Sequence, residues 1–223
     1  MKAICLRRFG APDVLALETL PDLQPVAADD VVIGVKAASV NAADSKVRAG
    51  KSVVKAVFPH VLGRDFSGVV LAAGPQADLK PGDEVFGVLP NGVEGAYAEQ
   101  LVIAARLCAF KPERWTHVEA AAAALAGLTA LVALDTLALL EGETIFIQGG
   151  SGGVGGMAVW MARRRGAHVI TTARGVNHEY VKSLGADRAV DYTQEDPAKV
   201  VSGCDAALDT VGGGCIPACF TVL

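Results

Sequence analysis

One stretch governs how this chain can fold: Thr144-Ile-Phe-Ile-Gln-Gly-Gly-Ser-Gly-Gly-Val-Gly-Gly156, followed at once by Met157-Ala-Val-Trp-Met-Ala-Arg-Arg-Arg-Gly166. A run of strand-forming residues feeds a glycine cluster, and an amphipathic helix starts inside it. Val154, Met157, Ala158 and Met161 recur at helical spacing, three arginines fill the last turn, and Gly166 supplies a C-terminal stop. Glycines at Gly149-x-x-Gly152-x-x-Gly155 let the backbone turn tightly and approach a pyrophosphate, whose charge rests on free N–H groups at the helix N-terminus. The spacing predicts a nucleotide-binding strand–turn–helix, with Ser151, Gly152, Gly153 and Val154 at the anion.

The next apolar run, His168-Val-Ile-Thr-Thr-Ala-Arg174, reads as the second strand of the same unit. A site for NAD places Asp or Glu at the end of this strand, on the ribose 2′-hydroxyl. Ala173 and Arg174 stand there instead, so a 2′-phosphate can be tolerated and paired with the guanidinium, which points to NADPH. Arg174 also reads as a solvated loop residue.

Two textures divide the chain. Residues 1–118 are short apolar runs (Asp30 to Val40, Asp65 to Leu71, Asp83 to Leu89, Ala96 to Ile103) separated by turn signals such as Lys80-Pro-Gly-Asp83 and Pro90-Asn-Gly92, the pattern of a β-rich, barrel-like module. Residues 119–223 alternate helix and strand, with strands expected near 144–149, 168–172, 188–190 and 205–210, the pattern of a doubly wound parallel sheet. The apolar segment Ala120 to Leu140 carries Gly127 and Asp135 and is expected to form two packed core helices rather than a membrane span. A net charge of −4 offers no basic surface for nucleic acid. Five cysteines, an odd number without a secretory leader, point to reduced thiols in the cytoplasm.

These pieces together resemble the medium-chain dehydrogenase/reductase superfamily, and within it the zinc-independent, zeta-crystallin-like quinone oxidoreductases. The resemblance rests on Asn41-Ala-Ala-Asp-Ser-Lys-Val-Arg-Ala-Gly50, Leu62-Gly-Arg-Asp-Phe-Ser-Gly68, Gly82-Asp-Glu-Val-Phe-Gly87, Gly95-Ala-Tyr-Ala-Glu99, Gly127-Leu-Thr-Ala130, the glycine turn, Ser183-Leu-Gly-Ala-Asp187, Asp191-Tyr192 and Leu208-Asp-Thr-Val-Gly-Gly213, in family order. Phe146 and Trp160 depart from the family's usual Leu and Gln. The resemblance implies an α/β architecture, a GroES-like N-terminal domain joined to a Rossmann domain. It implies hydride transfer from NADPH to a quinone or an α,β-unsaturated carbonyl. An enoyl reductase for acyl thioesters, a non-catalytic NADPH-binding protein and an inactive fragment are the alternatives.

The same resemblance sets Asn41 beside the nicotinamide as the catalytic candidate, Thr129 at the N-terminus of a linking helix, and Tyr192 with Arg174 at the 2′-phosphate. Asp44 and Arg48 read equally as an ion pair tying their turn, and Tyr97 as a core residue. Zinc is not expected: Gly63-Arg64-Asp65 stands where zinc-dependent relatives have Gly-His-Glu, His60 reads as structural, and Cys215 and Cys219 lack companion ligands. A Rossmann sheet has six strands and only four are read here, so the chain is expected to be an incomplete member lacking the strand that forms the family's dimer contact.

Overall fold

A computed structural model describes every residue except 54, 55 and 94. The chain divides into two compact units, Met1–Leu125 and Ala126–Leu223.

The first unit holds β1 (Lys2–Leu6), β2 (Leu15–Thr19), β3 (Asp30–Ala38), helix α1 (Ala42–Arg48), β4 (His60–Val61), β5 (Asp65–Ala73), β6 (Glu84–Val88), β7 (Gln100–Ala104) and β8 (Cys108–Phe110). Five strands pair antiparallel in the order β7-β3-β5-β6-β8, and three more in the order β2-β1-β4. Residues 97–99, expected as the start of a strand, instead connect the two sheets: Ile4 N–H donates to Tyr97 O at 2.8 Å and Val35 N–H to Glu99 O at 2.9 Å. Val31, Ile33, Phe66, Val70, Val85, Leu101 and Ile103 form one buried cluster beneath the larger sheet. Pairing of Ala38 with Phe66 brings the end of β3 beside the start of β5, which positions the residues discussed below.

Helix α2 (His117–Leu137) opens with a capping box: Glu119 N–H donates to Thr116 Oγ1 at 3.2 Å, and Thr116 N–H to Glu119 Oε2 at 2.8 Å. It is a single helix, not the expected pair. Gly127 sits inside it because a glycine costs a helix interior only about 1 kcal/mol, less than the burial of flanking apolar residues returns. Ala120, Ala124, Ala130 and Leu134 are buried along it, and Asp135 is exposed and paired with Arg165 at 2.6 Å. By length and composition alone α2 could cross a membrane.

The second unit continues with β9 (Thr144–Gln148), α3 (Gly153–Arg164), β10 (His168–Thr172), α4 (His178–Ser183), β11 (Arg188–Val190), α5 (Pro197–Val200), β12 (Ala206–Asp209) and α6 (Ile216–Thr221). The four strands are parallel, ordered β11-β10-β9-β12, and lie where the sequence places them. Both faces are covered. Ile145 and Ile147 join Ala158, Val159, Ala162 and Val169 in one cluster, while Phe146 joins Val190, Val201, Cys204, Cys219 and Val222 in another. Period-two alternation of β9 thus feeds two layers at once, as a doubly wound sheet requires. Trp160 does not pack on the sheet; it is exposed, with the Arg164 guanidinium over its ring at 4.7 Å.

Candidate functional site

The glycine turn of the second unit contains glycines of two kinds. Gly149 has φ +78°, a left-handed backbone that suits glycine, and receives Gly152 N–H on its carbonyl at 2.9 Å. Its own N–H donates to Thr172 Oγ1 at 2.9 Å, and Gly150 N–H donates to Thr172 O at 3.0 Å, which stitches the turn to β10. A β-carbon at Gly155 would run into the Gly149 carbonyl oxygen, and one at Gly150 into Thr171 Oγ1, so these glycines serve packing. Gly152 and Gly153 differ. A β-carbon at Gly152 would sit 3.3 Å from the Gly149 carbonyl oxygen, a tight contact, and one at Gly153 would rest 3.8 Å from the Ala126 β-carbon, an ordinary one.

The first intrahelical bond of α3 runs from Gly156 N–H to Gly152 O at 2.8 Å, so the N–H groups of Gly153, Val154 and Gly155 have no acceptor within the helix. The N-cap is Gly152, no side chain caps the first turn, no acidic residue stands in it, and Arg163 and Arg164 lie in the last. An anion is therefore the complementary partner of this end. The residues fit the diphosphate of a dinucleotide: an uncapped helix start without an acidic side chain, and N–H donors with no partner inside the helix.

At the end of β10 no carboxylate replaces the missing acid. Arg174 is exposed, and its Nε–H donates to the Tyr192 hydroxyl oxygen at 3.0 Å, so two residues eighteen apart in sequence meet as one donor group. Asp191 holds the loop beneath them. Its Oδ2 accepts Gly175 N–H at 2.8 Å, and its Oδ1 accepts Thr193 Oγ1–H at 2.7 Å and Thr193 N–H at 3.0 Å. Those bonds, led by the Thr193 hydroxyl, keep the Asp191 carboxyl below its ordinary range. This anchoring role escaped the sequence reading, in which Asp191 figured only as part of a family dipeptide.

In the first unit Asn41 precedes α1 as its N-cap. Its Nδ2 donates to Asp65 Oδ1 at 2.8 Å and faces Ser39 Oγ at 3.3 Å, while Ser39 Oγ–H donates to Asp65 Oδ2 at 2.6 Å. The Asn41 Oδ1 end faces Asp44 in a capping-box arrangement, although the Asp44 N–H itself reaches the Asn41 backbone carbonyl at 3.1 Å. Asp44 is buried and gathers three donors: Asn41 N–H at 2.7 Å, Tyr97 O–H at 2.8 Å and Gly63 N–H at 3.3 Å. Burial first, then the Asp44 hydrogen bond and the Asp44 and Asp65 charges, push the Tyr97 phenol far above its ordinary value, so it stays a donor.

Two expectations need correction. Arg48 does not pair with Asp44; its Nε–H donates to Gly10 O at 3.2 Å, because three neutral donors already occupy the buried carboxylate. Thr129 is not at a helix N-terminus but exposed in the interior of α2, more than three turns beyond His117, since no break at Gly127 creates a second start. Arg64, at the position of a zinc-ligating histidine in zinc-dependent relatives, spends its Nε and Nη2 on Leu89 O at 3.2 and 2.9 Å. Among the described residues no three His, Cys, Asp or Glu side chains converge as a metal site needs.

Comparison with known proteins bears on this geometry. Residues 27–113 match the alcohol dehydrogenase GroES-like domain and residues 153–223 the zinc-binding dehydrogenase domain. A quinone oxidoreductase structure from Coxiella burnetii superposes with a TM-score of 0.91 at 37% identity, covering 96% of this chain and 69% of that one. The chain belongs to the quinone oxidoreductase branch of the medium-chain dehydrogenase/reductase superfamily. Among characterised members it is 36% identical to 2-methylene-furan-3-one reductase of Solanum lycopersicum, over 96% of this chain and 58% of that protein. It is 35% identical to the chloroplastic NADPH-dependent alkenal/one oxidoreductase of Arabidopsis thaliana, over 95% of this chain and 58% of that protein. The chain thus spans less than two thirds of the length of these relatives.

Proposed function

We propose that this branch member is an NADPH-dependent reductase that passes hydride to quinones or α,β-unsaturated carbonyls without a metal. The observation that carries the reading is the Arg174–Tyr192 pair at the end of β10, beside a strand end with no acid for a ribose 2′-hydroxyl. An alkenal reductase named as NADPH-dependent and a quinone oxidoreductase among the relatives support it.

When bound, NADPH supplies the hydride; the chain's residues bind and orient it. Gly152 starts the helix at the pyrophosphate, and the N–H groups of Gly153 and Val154, with Ser151 alongside, take its charge. Arg174 and Tyr192 take the 2′-phosphate. The metal-free reading rests on the donor set, since Arg64 and Asp65 are committed to Leu89 O and to Ser39 and Asn41.

Thermal unfolding of the 223-residue chain with NADPH, with NADH and with neither tests this. A ligand binding only the folded state at a hundredfold excess over its Kd stabilises by about 2.7 kcal/mol. The proposal expects an upshift with NADPH larger than with NADH, followed by NADPH oxidation with an enone or quinone acceptor. No shift with either nucleotide refutes it for this chain.

A further inference from the structure

Arg174 and Tyr192 are both exposed and belong to different loops, yet they meet because the chain around one is stitched to the chain around the other. The parallel pairing of β10 with β11 ends at Thr172 opposite Val190. One backbone bond carries it further, from Ala173 N–H to Val190 O at 3.0 Å. Beyond that a side chain stands in for the strand: Gly175 N–H donates to Asp191 Oδ2 at 2.8 Å. Arg174 is therefore set between two pinned neighbours, and the residues that pin them, Val190 and Asp191, lead directly into Tyr192. The other oxygen of Asp191 takes the hydroxyl and the N–H of Thr193, on the far side of Tyr192, at 2.7 and 3.0 Å. Gly175 leaves room for this arrangement, since a β-carbon there would lie 2.9 Å from Asp191 Oδ2.

We propose that Asp191 is a positioning residue that sets nucleotide selectivity: by clamping Gly175 to Thr193 it holds Arg174 and Tyr192 as one preformed fork for the 2′-phosphate. The inference rests on the NADPH reading above and deepens it. A long side chain on an unfastened loop loses freedom when it binds, which costs about two- to tenfold in affinity, and a clamp removes part of that loss in advance. An ionised Asp191 has no hydrogen to offer a phosphate, and its charge repels one. Its effect as a charge and its effect as a clamp thus have opposite signs, and this separates them.

Two readouts test the clamp on the full chain. Without cofactor, amide hydrogen exchange at Gly175 should quicken in Asp191→Ala; an unchanged rate overturns the clamp. With cofactor, the Kd values for NADPH and NADH are read from nicotinamide fluorescence. Asp191→Ala should weaken NADPH about two- to tenfold and NADH less than about twofold, although it removes a repelling charge. Gly175→Ala, whose methyl displaces the carboxylate, should lose the same preference alone and lose nothing further in an Asp191→Ala background. In an Arg174→Ala background Asp191→Ala should add less than about twofold. Tighter NADPH binding in Asp191→Ala reduces the residue to a repelling charge and overturns its positioning role. Equal losses for both nucleotides, or losses that multiply with those of Arg174→Ala, overturn it as well. If Asp191→Ala does not fold, Gly175→Ala and Thr193→Val, which strips one donor from the carboxylate, carry the comparison. Equal Kd values for NADPH and NADH in the native chain overturn the NADPH reading itself. A native preference that survives in Asp191→Ala overturns the positioning role alone.

Discussion

Replacing Arg174 by alanine tests the cofactor reading where the structure gives it most detail. The guanidinium has five N–H groups, and the Nε–H is used on the Tyr192 oxygen at 3.0 Å. That leaves the Nη fork for a phosphate, and it also leaves the Tyr192 O–H proton free to donate, because its oxygen is the acceptor in the pair. A hydrogen bond to a charged partner contributes about 1.5–3 kcal/mol, and the exposure of Arg174 places it at the low end through solvent screening. About 1.5–2 kcal/mol corresponds to a loss of about ten- to thirtyfold in NADPH affinity. NADH has no 2′-phosphate, so its Kd should change by less than about twofold. Tyr192→Phe should cost NADPH less, about two- to fivefold, and should add little in an Arg174→Ala background, since part of its effect acts through Arg174. Fluorescence titrations with both nucleotides at low and high salt read all of this. Salt should erode the NADPH preference of the native chain, as the screening length falls from about 8 Å at 0.15 M to about 3 Å at 1 M. Equal losses for NADPH and NADH in Arg174→Ala would refute the phosphate role and return Arg174 to an ordinary solvated residue.

Two further predictions follow from the same geometry. Gly155→Ala should unfold the chain or lower its stability by more than about 3 kcal/mol, because its β-carbon lands on the Gly149 carbonyl oxygen, whereas Gly153→Ala should keep or gain up to about 1 kcal/mol. Only the second variant should remain folded in urea titrations, because its methyl would rest in ordinary contact with the Ala126 β-carbon. In the first unit the Lys111 ammonium at 3.1 Å, assisted by His117 at 3.4 Å, holds the Glu84 carboxyl below its ordinary value of 4.5. A depressed folded value means that the stabilisation is complete above about pH 4.5 and is lost as pH falls through the folded value. Glu84→Gln should therefore flatten the acid limb of the stability–pH curve, and an unchanged limb would show that the pair contributes nothing measurable.

What the sequence could and could not disclose follows the range over which each feature is decided. The glycine turn, β9 and the four parallel strands depend on neighbours within a few residues, on strand formers before a turn and on helical spacing after it, so their places were legible. So was the vacancy of the acid position after β10, which needs only the residues of one strand end. The Gly127 break failed for a related reason: a local propensity cost of about 1 kcal/mol was read as decisive, when tertiary burial of Ala120, Ala124, Ala130 and Leu134 outweighs it. Arg48 failed differently. A cation four residues after an acid suggests a pair, but the Asp44 carboxylate is reached first by Asn41, Gly63 and Tyr97, two of them brought in from other segments. The Ser39–Asn41–Asp65 network belongs to this last class. Its members lie up to twenty-six residues apart and meet only because Ala38 pairs with Phe66 across β3 and β5. No periodicity in the chain reports that register. The motif around Asn41 named the residue, and only the fold shows that its amide hydrogens are already spent.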